Sequence, residues 1–133
     1  MKLNQRISTF LMFQKSDAKE AMEFYVSLFP ESEIHSIEYW PDSEAPEEEI
    51  KTAEFSLMGQ KFMCMDSPIP HAFDFTPSTS IFINCKDEAE IQKLYTQLSQ
   101  DGQVLMELMD HGFSRKFCWV NDRFGVSWQL NLP

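Results

Sequence analysis

The chain has 133 residues, enough for one domain with a sizeable core, and 43% of them are hydrophobic, with 12 Phe, 8 Met and 3 Trp, which excludes a disordered chain. A net charge of −10 and a pI near 4.6 would repel phosphate backbones and anionic lipid, so nucleic acid and membrane surfaces are not expected partners. Met1–Gln5 does not read as a signal peptide, and no apolar stretch approaches the ~20 residues needed to span a bilayer, so a cytoplasmic protein is expected.

In chain order, Ile7–Phe13 reads as a short apolar strand. Asp17 followed by Glu20 is an N-terminal capping signature, and Ala21, Phe24, Tyr25 and Leu28 make one apolar helix face that Pro30 stops. Ile34–Trp40 looks like a strand. Asp42, Glu44, Glu47, Glu48 and Glu49 then crowd a segment with Pro41 and Pro46. That segment reads as a solvated loop, the alternative being a docking site for a basic partner. Thr52–Met58 and Lys61–Asp66 are strands joined at Gly59-Gln60, and Ser67–Ser78, with three prolines, is the linker.

The second half repeats the order. Ser80–Cys85 is a strand. Asp87 and Glu90 open a helix with Ile91, Leu94, Tyr95 and Leu98 on its inner face, and Gln103–Leu108 is a candidate strand. Phe113–Asn121 and Val126–Asn131 are strands joined around Phe124-Gly125. The helical segments match at an offset of seventy residues, Asp17 to Asp87 and Leu28 to Leu98. The organisation expected is a single domain, 1–133, of two βαβββ modules: module one 1–66, linker 67–78, module two 79–133.

Two runs also resemble a known group. Phe10-Leu-Met-Phe with Glu20-Ala-Met-Glu-Phe-Tyr-Val-Ser-Leu-Phe-Pro30, and Trp119-Val-Asn-Asp-Arg-Phe-Gly-Val-Ser-Trp-Gln129, look like the opening and closing motifs of PhnB-like proteins. These belong to the vicinal-oxygen-chelate superfamily, with glyoxalase I, bleomycin-resistance proteins and extradiol dioxygenases. The resemblance implies an α+β fold in which two βαβββ modules form an incomplete barrel around a shared cavity, usually in a homodimer. Some members carry the label 3-demethylubiquinone 3-methyltransferase. Yet no Gly-rich loop follows a strand and opens a helix here, the usual cradle for a cofactor such as S-adenosylmethionine.

Metal-dependent members take ligands from the first and last strands of each module. Counting four residues beyond the hairpin glycines Gly59 and Gly125 gives Met63 and Gln129. Counting seven before the capping Asp gives Phe10 and Ser80, with Thr9 beside Phe10. None of Phe10, Met63, Ser80 and Gln129 is a carboxylate, imidazole or thiolate, so neither a metal nor another cofactor is expected. His35, His71 and His111 share no strand and no helical spacing; structural roles are expected, with His71 or His111 as an acid or base the alternative. Cys64, Cys85 and Cys118 lack CxxC spacing and lie in apolar runs, which fits reduced core thiols better than a nucleophile.

Strand alternation groups the remaining candidates. Ser127, Gln129 and Asn131 share one face, as do Ser80, Phe82 and Asn84, while Trp119 and Asn121 can join them. In the first module the same face carries Phe10, Met12, Met63 and Met65. Either these side chains fill the barrel as core, or they line a pocket for a small organic molecule. The reading carried forward is metal-free binding of a small apolar or aromatic molecule in the inter-module cavity, lined by Phe10, Met12, Met63, Met65, Ser80, Phe82, Trp119, Ser127 and Gln129. The alternative is a metal-dependent lyase, isomerase or dioxygenase of the glyoxalase type.

Overall fold

A computed structural model describes residues 5–41 and 48–133. Asp42, Glu44 and Glu47 of the acidic segment lie outside the described residues. The chain forms two compact units that meet between Ala72 and Phe73, inside the stretch read as a linker. Among the described residues no helix is long and apolar enough to cross a membrane.

The first unit contains β1 (Thr9–Phe13), α1 (Ala18–Leu28), β2 (Glu33–Tyr39), β3 (Ile50–Leu57) and β4 (Gln60–Asp66). The second contains β5 (Ile81–Asn84), α2 (Glu88–Ser99), β6 (Gln103–Met109), β7 (Lys116–Asn121) and β8 (Ser127–Leu132). Each is a four-stranded sheet with one helix, in the orders β1-β4-β3-β2 and β5-β8-β7-β6. First and last strands of each unit pair in parallel, and all other neighbours are antiparallel. The α+β class and the twofold βαβββ order expected from the repeat are what the chain adopts.

Alternation decides what each sheet buries. In β4, Phe62 and Cys64 are buried, with Lys61, Met63 and Met65 half-buried between them. In β8, Trp128, Leu130 and Leu132 are buried, while Gln129 and Asn131 are half-exposed. The buried set packs with Ala21, Met22, Tyr25 and Leu28 of α1 in one unit and with Ile91, Leu94 and Leu98 of α2 in the other. Each large side chain removed from water in this way contributes about 1.5–3 kcal/mol. The opposite face of each sheet, turned away from its helix, holds every candidate ligand residue.

Two local expectations need correction. The turn between β3 and β4 is Met58-Gly59, not Gly59-Gln60, because Leu57 pairs with Gln60 and both turn residues have positive φ, 49° and 82°. A two-residue hairpin demands that conformation at both positions. The strand expected from Phe113 begins only at Lys116, since Gly112 turns the chain with φ 99° and donates its N–H to Asp110.

The capping signature is also realised in only one of its two copies. Asp87 accepts the N–H of Glu90 at 2.8 Å, and Glu90 accepts the N–H of Lys86 at 2.9 Å. Asp17 makes no side-chain cap. The first N–H of α1, on Ala18, is taken instead by Asp66 at 3.0 Å, whose other carboxylate oxygen accepts the N–H of Ile50 at 2.8 Å. A carboxylate at the end of β4 thus ties together the starts of α1 and β3. Burial pushes the pKa of Asp66 up, against the pull of its two N–H donors. Burial and the nearby Asp66 charge likewise push Asp17 up, and its Oδ1 is buried without a partner.

A raised folded-state pKa means that the ionised form weakens the fold. The favourable contribution is complete below the ordinary value of 3.8 and is lost as pH rises through the folded value. Asp17→Asn is therefore expected to raise stability in urea denaturation at pH 7, and the gain should shrink as pH falls toward 4. Asp87→Ala should cost about 1 kcal/mol at pH 7. Equal losses from both substitutions would contradict this account of the two helix starts.

Candidate functional site

In the first unit, parallel pairing sets Phe10 opposite Met63 and Met12 opposite Met65. The four side chains share the face turned away from α1, where Phe10 is exposed and the methionines are half-buried. Beyond them on the same face, Lys61 pairs with Glu54 at 3.2 Å, and His35 Nε2 meets the Ser56 hydroxyl at 3.0 Å. This face is a thioether and phenyl surface bordered by polar pairs already satisfied.

In the second unit, Gln129 lies between Phe82 on β5 and Trp119 on β7. Its side-chain N–H donates to the Ser80 hydroxyl at 2.7 Å. Asn131 donates to Asn84 Oδ1 at 3.1 Å, and the Trp119 indole N–H donates to Ser127 at 2.8 Å. Ser127 is buried beneath that bond, so it positions Trp119. The structure thus brings Ser80, Phe82, Trp119, Ser127 and Gln129 together on one face, and Phe10, Met12, Met63 and Met65 on another.

Sequence reasoning passed over Phe117. It stands in register with Asn131, two residues before Trp119 and so on the same face, with its ring 6.5 Å from that of Phe82. The signal was plain alternation back from Trp119. Phe113 and His111 complete an aromatic group with Phe117, at centroid distances of 5.0 and 6.0 Å. That contact crosses a turn and has no periodic signature.

The two units differ in which first-strand residue meets the last strand. Phe10 faces Met63, but the residue in register with Gln129 is Phe82. The connection from this position to the capping Asp is two residues shorter in the second unit. An even shift leaves the face unchanged, so Ser80 still reaches Gln129 diagonally.

The donor set does not suit a divalent metal. Phe10 has no ligand atom, Met63 offers only a soft thioether, and Ser80 and Gln129 offer only a neutral hydroxyl and a neutral amide oxygen. Among the described residues, no three His, Cys, Asp or Glu side chains come together in a way that could hold an ion. The histidines are each engaged locally: His35 with Ser56, His71 with Ser67 at 3.0 Å, His111 with the Glu107 carbonyl at 2.8 Å. Cys64, Cys85 and Cys118 are buried, and burial pushes each thiol up to about 12, which leaves negligible thiolate at neutral pH.

The sequence model of the 3-demethylubiquinone-9 3-methyltransferase family matches residues 5–131. The chain belongs to this family. A PhnB protein of Bacillus cereus, described as a 3-demethylubiquinone-9 3-methyltransferase, is 48% identical over 97% of this chain and 100% of its own, with a TM-score of 0.91. A Pseudomonas aeruginosa protein shares the fold at 24% identity and a TM-score of 0.82, covering 97% of this chain and 98% of that one. A glyoxalase-family protein of Bacillus cereus does so at 11% identity and a TM-score of 0.67, covering 100% and 97%. No curated protein matches the chain. The PhnB-like relationship suggested by the opening and closing motifs therefore holds, and the fold is shared with a glyoxalase-family protein.

The methyltransferase name finds no support in this PhnB-like fold. The four glycines are Gly59, Gly102, Gly112 and Gly125, and none lies in the connection from β1 to α1 or from β5 to α2. Neither strand-to-helix turn can form the glycine cradle that holds a nucleotide-like cofactor. Metal analysis of protein purified without chelator should find well under one ion per chain. Added Zn²⁺, Ni²⁺ or Mn²⁺ at tenfold excess should leave the melting temperature unchanged. A stoichiometric ion, or a rise of several degrees, would show that the donor set has been misread.

Proposed function

We propose that this PhnB-like protein binds a small apolar or aromatic molecule, without a metal, on the sheet faces turned away from its helices. The observation that carries this reading is the register of the parallel pairs. Phe10 with Met63, and Met12 with Met65, bring four adaptable apolar side chains together on one face, and the family resemblance assigns two of these positions, Phe10 and Met63, to ligands in metal-dependent relatives. Thioether and phenyl groups mould to varied aromatic shapes and gain by covering exposed apolar surface. Gln129 and Ser80, held together by their hydrogen bond, supply polarity at the corresponding place in the second unit. Binding and sequestration need no nucleophile and no acid–base pair, and the local engagement of the three histidines and the burial of the three cysteines are consistent with that.

Thermal denaturation across a library of aromatic and drug-like compounds tests the reading. A ligand present at a hundred times its Kd stabilises by ~2.7 kcal/mol, which raises Tm by several degrees in a domain of this size. The double variant Phe10→Ala, Met63→Ala should abolish or greatly reduce the shift produced by any hit while remaining folded. A broad library with no hit, or hits insensitive to these substitutions, would contradict the assignment.

A further inference from the structure

The helix-free face of the second unit carries a more specific message, and it rests on the reading above. Gln129 and Asn131 are two residues apart on β8 and point the same way. Each donates a side-chain amide N–H sideways, Gln129 to Ser80, just before β5, at 2.7 Å and Asn131 to Asn84 in β5 at 3.1 Å. Trp119, beside Gln129 on β7, also spends its indole N–H within the face, on Ser127 at 2.8 Å. The amide oxygens of Gln129 and Asn131 have no protein partner among the described residues. At the end of the sheet nearest Ser127, the Oδ1 of Asn121 is buried with no partner either.

Around these acceptors stand aromatic rings. Phe82, 52% exposed, is in register with Gln129 and lies between Ser80 and Asn84 along β5. Phe117 is in register with Asn131, 6.5 Å from Phe82, and Phe113, 62% exposed, meets Phe117 edge-on at 5.0 Å. Phe117 is itself buried, while the exposed rings of Phe82 and Phe113 offer large apolar area at little entropic cost, and acceptors beside Phe82 select what lies against it.

The geometry points to a subsite on β5, β7 and β8 for an aromatic ring that carries a hydrogen-bond donor, such as a phenolic hydroxyl or an aryl N–H. The ring lies against exposed Phe82, which buried Phe117 backs from within the sheet, and its donor is received by the amide oxygens of Gln129 and Asn131. One amide N–H of each of Gln129 and Asn131, and the indole N–H of Trp119, are already spent within the face, on Ser80, Asn84 and Ser127. A net charge of −10 weighs further against an anionic ligand and favours a neutral or cationic one.

Phenol and anisole provide the test, since they match in ring and differ in the donor. The full chain is titrated with each while NMR follows the side-chain amides of Gln129 and Asn131, the indole N–H of Trp119 and the methionine methyls. Phenol should shift the Gln129 and Asn131 amides and bind roughly five-fold more tightly than anisole, the discrimination expected of one net hydrogen bond. Gln129→Leu should bring the two affinities together, and Phe82→Ala should weaken both. Equal affinities for the wild-type protein would overturn the donor selectivity with no variant needed. Perturbation confined to Met12, Met63 and Met65 would overturn this subsite and leave the broader binding reading standing, whereas no perturbation anywhere would overturn both.

Discussion

A four-stranded sheet with only one helix of its own can bury only one face within its unit. Everything distinctive about this protein follows from that constraint and from the period of two along a strand. Against α1 the chain places Leu11, Phe13, Phe62 and Cys64, and against α2 it places Ile83, Trp128, Leu130 and Leu132. Every second residue is then committed to the other face, whatever its chemistry. Phe10, Met12, Met63 and Met65 in one unit, and Phe82, Trp119, Gln129 and Asn131 in the other, stand where they do because their neighbours are core. A one-residue slip in either parallel pair would exchange the two sets and put Gln129 where Trp128 now lies.

The two units solve the same architectural problem with different polar anchors. In the first, Asp66 at the end of β4 receives the N–H groups of Ala18 and Ile50 and so fixes helix and sheet together. In the second, Asp87 caps its own helix. There the buried carboxylate is Asp122, which gathers the N–H groups of Phe124 and Val126 and the indole N–H of Trp128 within the last hairpin. Both devices satisfy backbone or side-chain donors that would otherwise be buried alone. The anchor in the first unit lies beside a second acid, Asp17, whose charge it disfavours, and in this way a repeated motif comes to behave unlike its copy.

Much of this was legible in the sequence because it depends on periodicity and on turn residues. The alternation of Val126, Trp128 and Leu130 with Ser127, Gln129 and Asn131 identifies the faces of β8 before any coordinate is known, and Gly125 marks its hairpin. Asp17 and Asp87 look alike because the capping signature is local, while the residue that replaces the cap in the first unit, Asp66, is 48 positions away. The stagger between Ser80 and Phe82 was hidden for a related reason: a connection shortened by two residues preserves alternation and leaves no trace in the pattern. The cluster of His111, Phe113 and Phe117 forms across an irregular turn at Gly112, where no period applies.

The family's name, the fold and the donor chemistry point in different directions. The family carries the name of a methyltransferase, and the fold is shared with glyoxalase-like proteins, yet the strands here present thioethers, rings and amides where a metal site needs anionic or imidazole ligands. An organic ligand is what such surfaces hold well. The most direct test follows the methyl resonances of Met12, Met63 and Met65, with buried Met22 as the internal reference, during titration with an aromatic ligand and separately with Zn²⁺. The account predicts that the three methyls shift saturably with the aromatic compound, that Met22 is little affected, and that none moves with Zn²⁺. Shifts with Zn²⁺ and none with any aromatic ligand would contradict it.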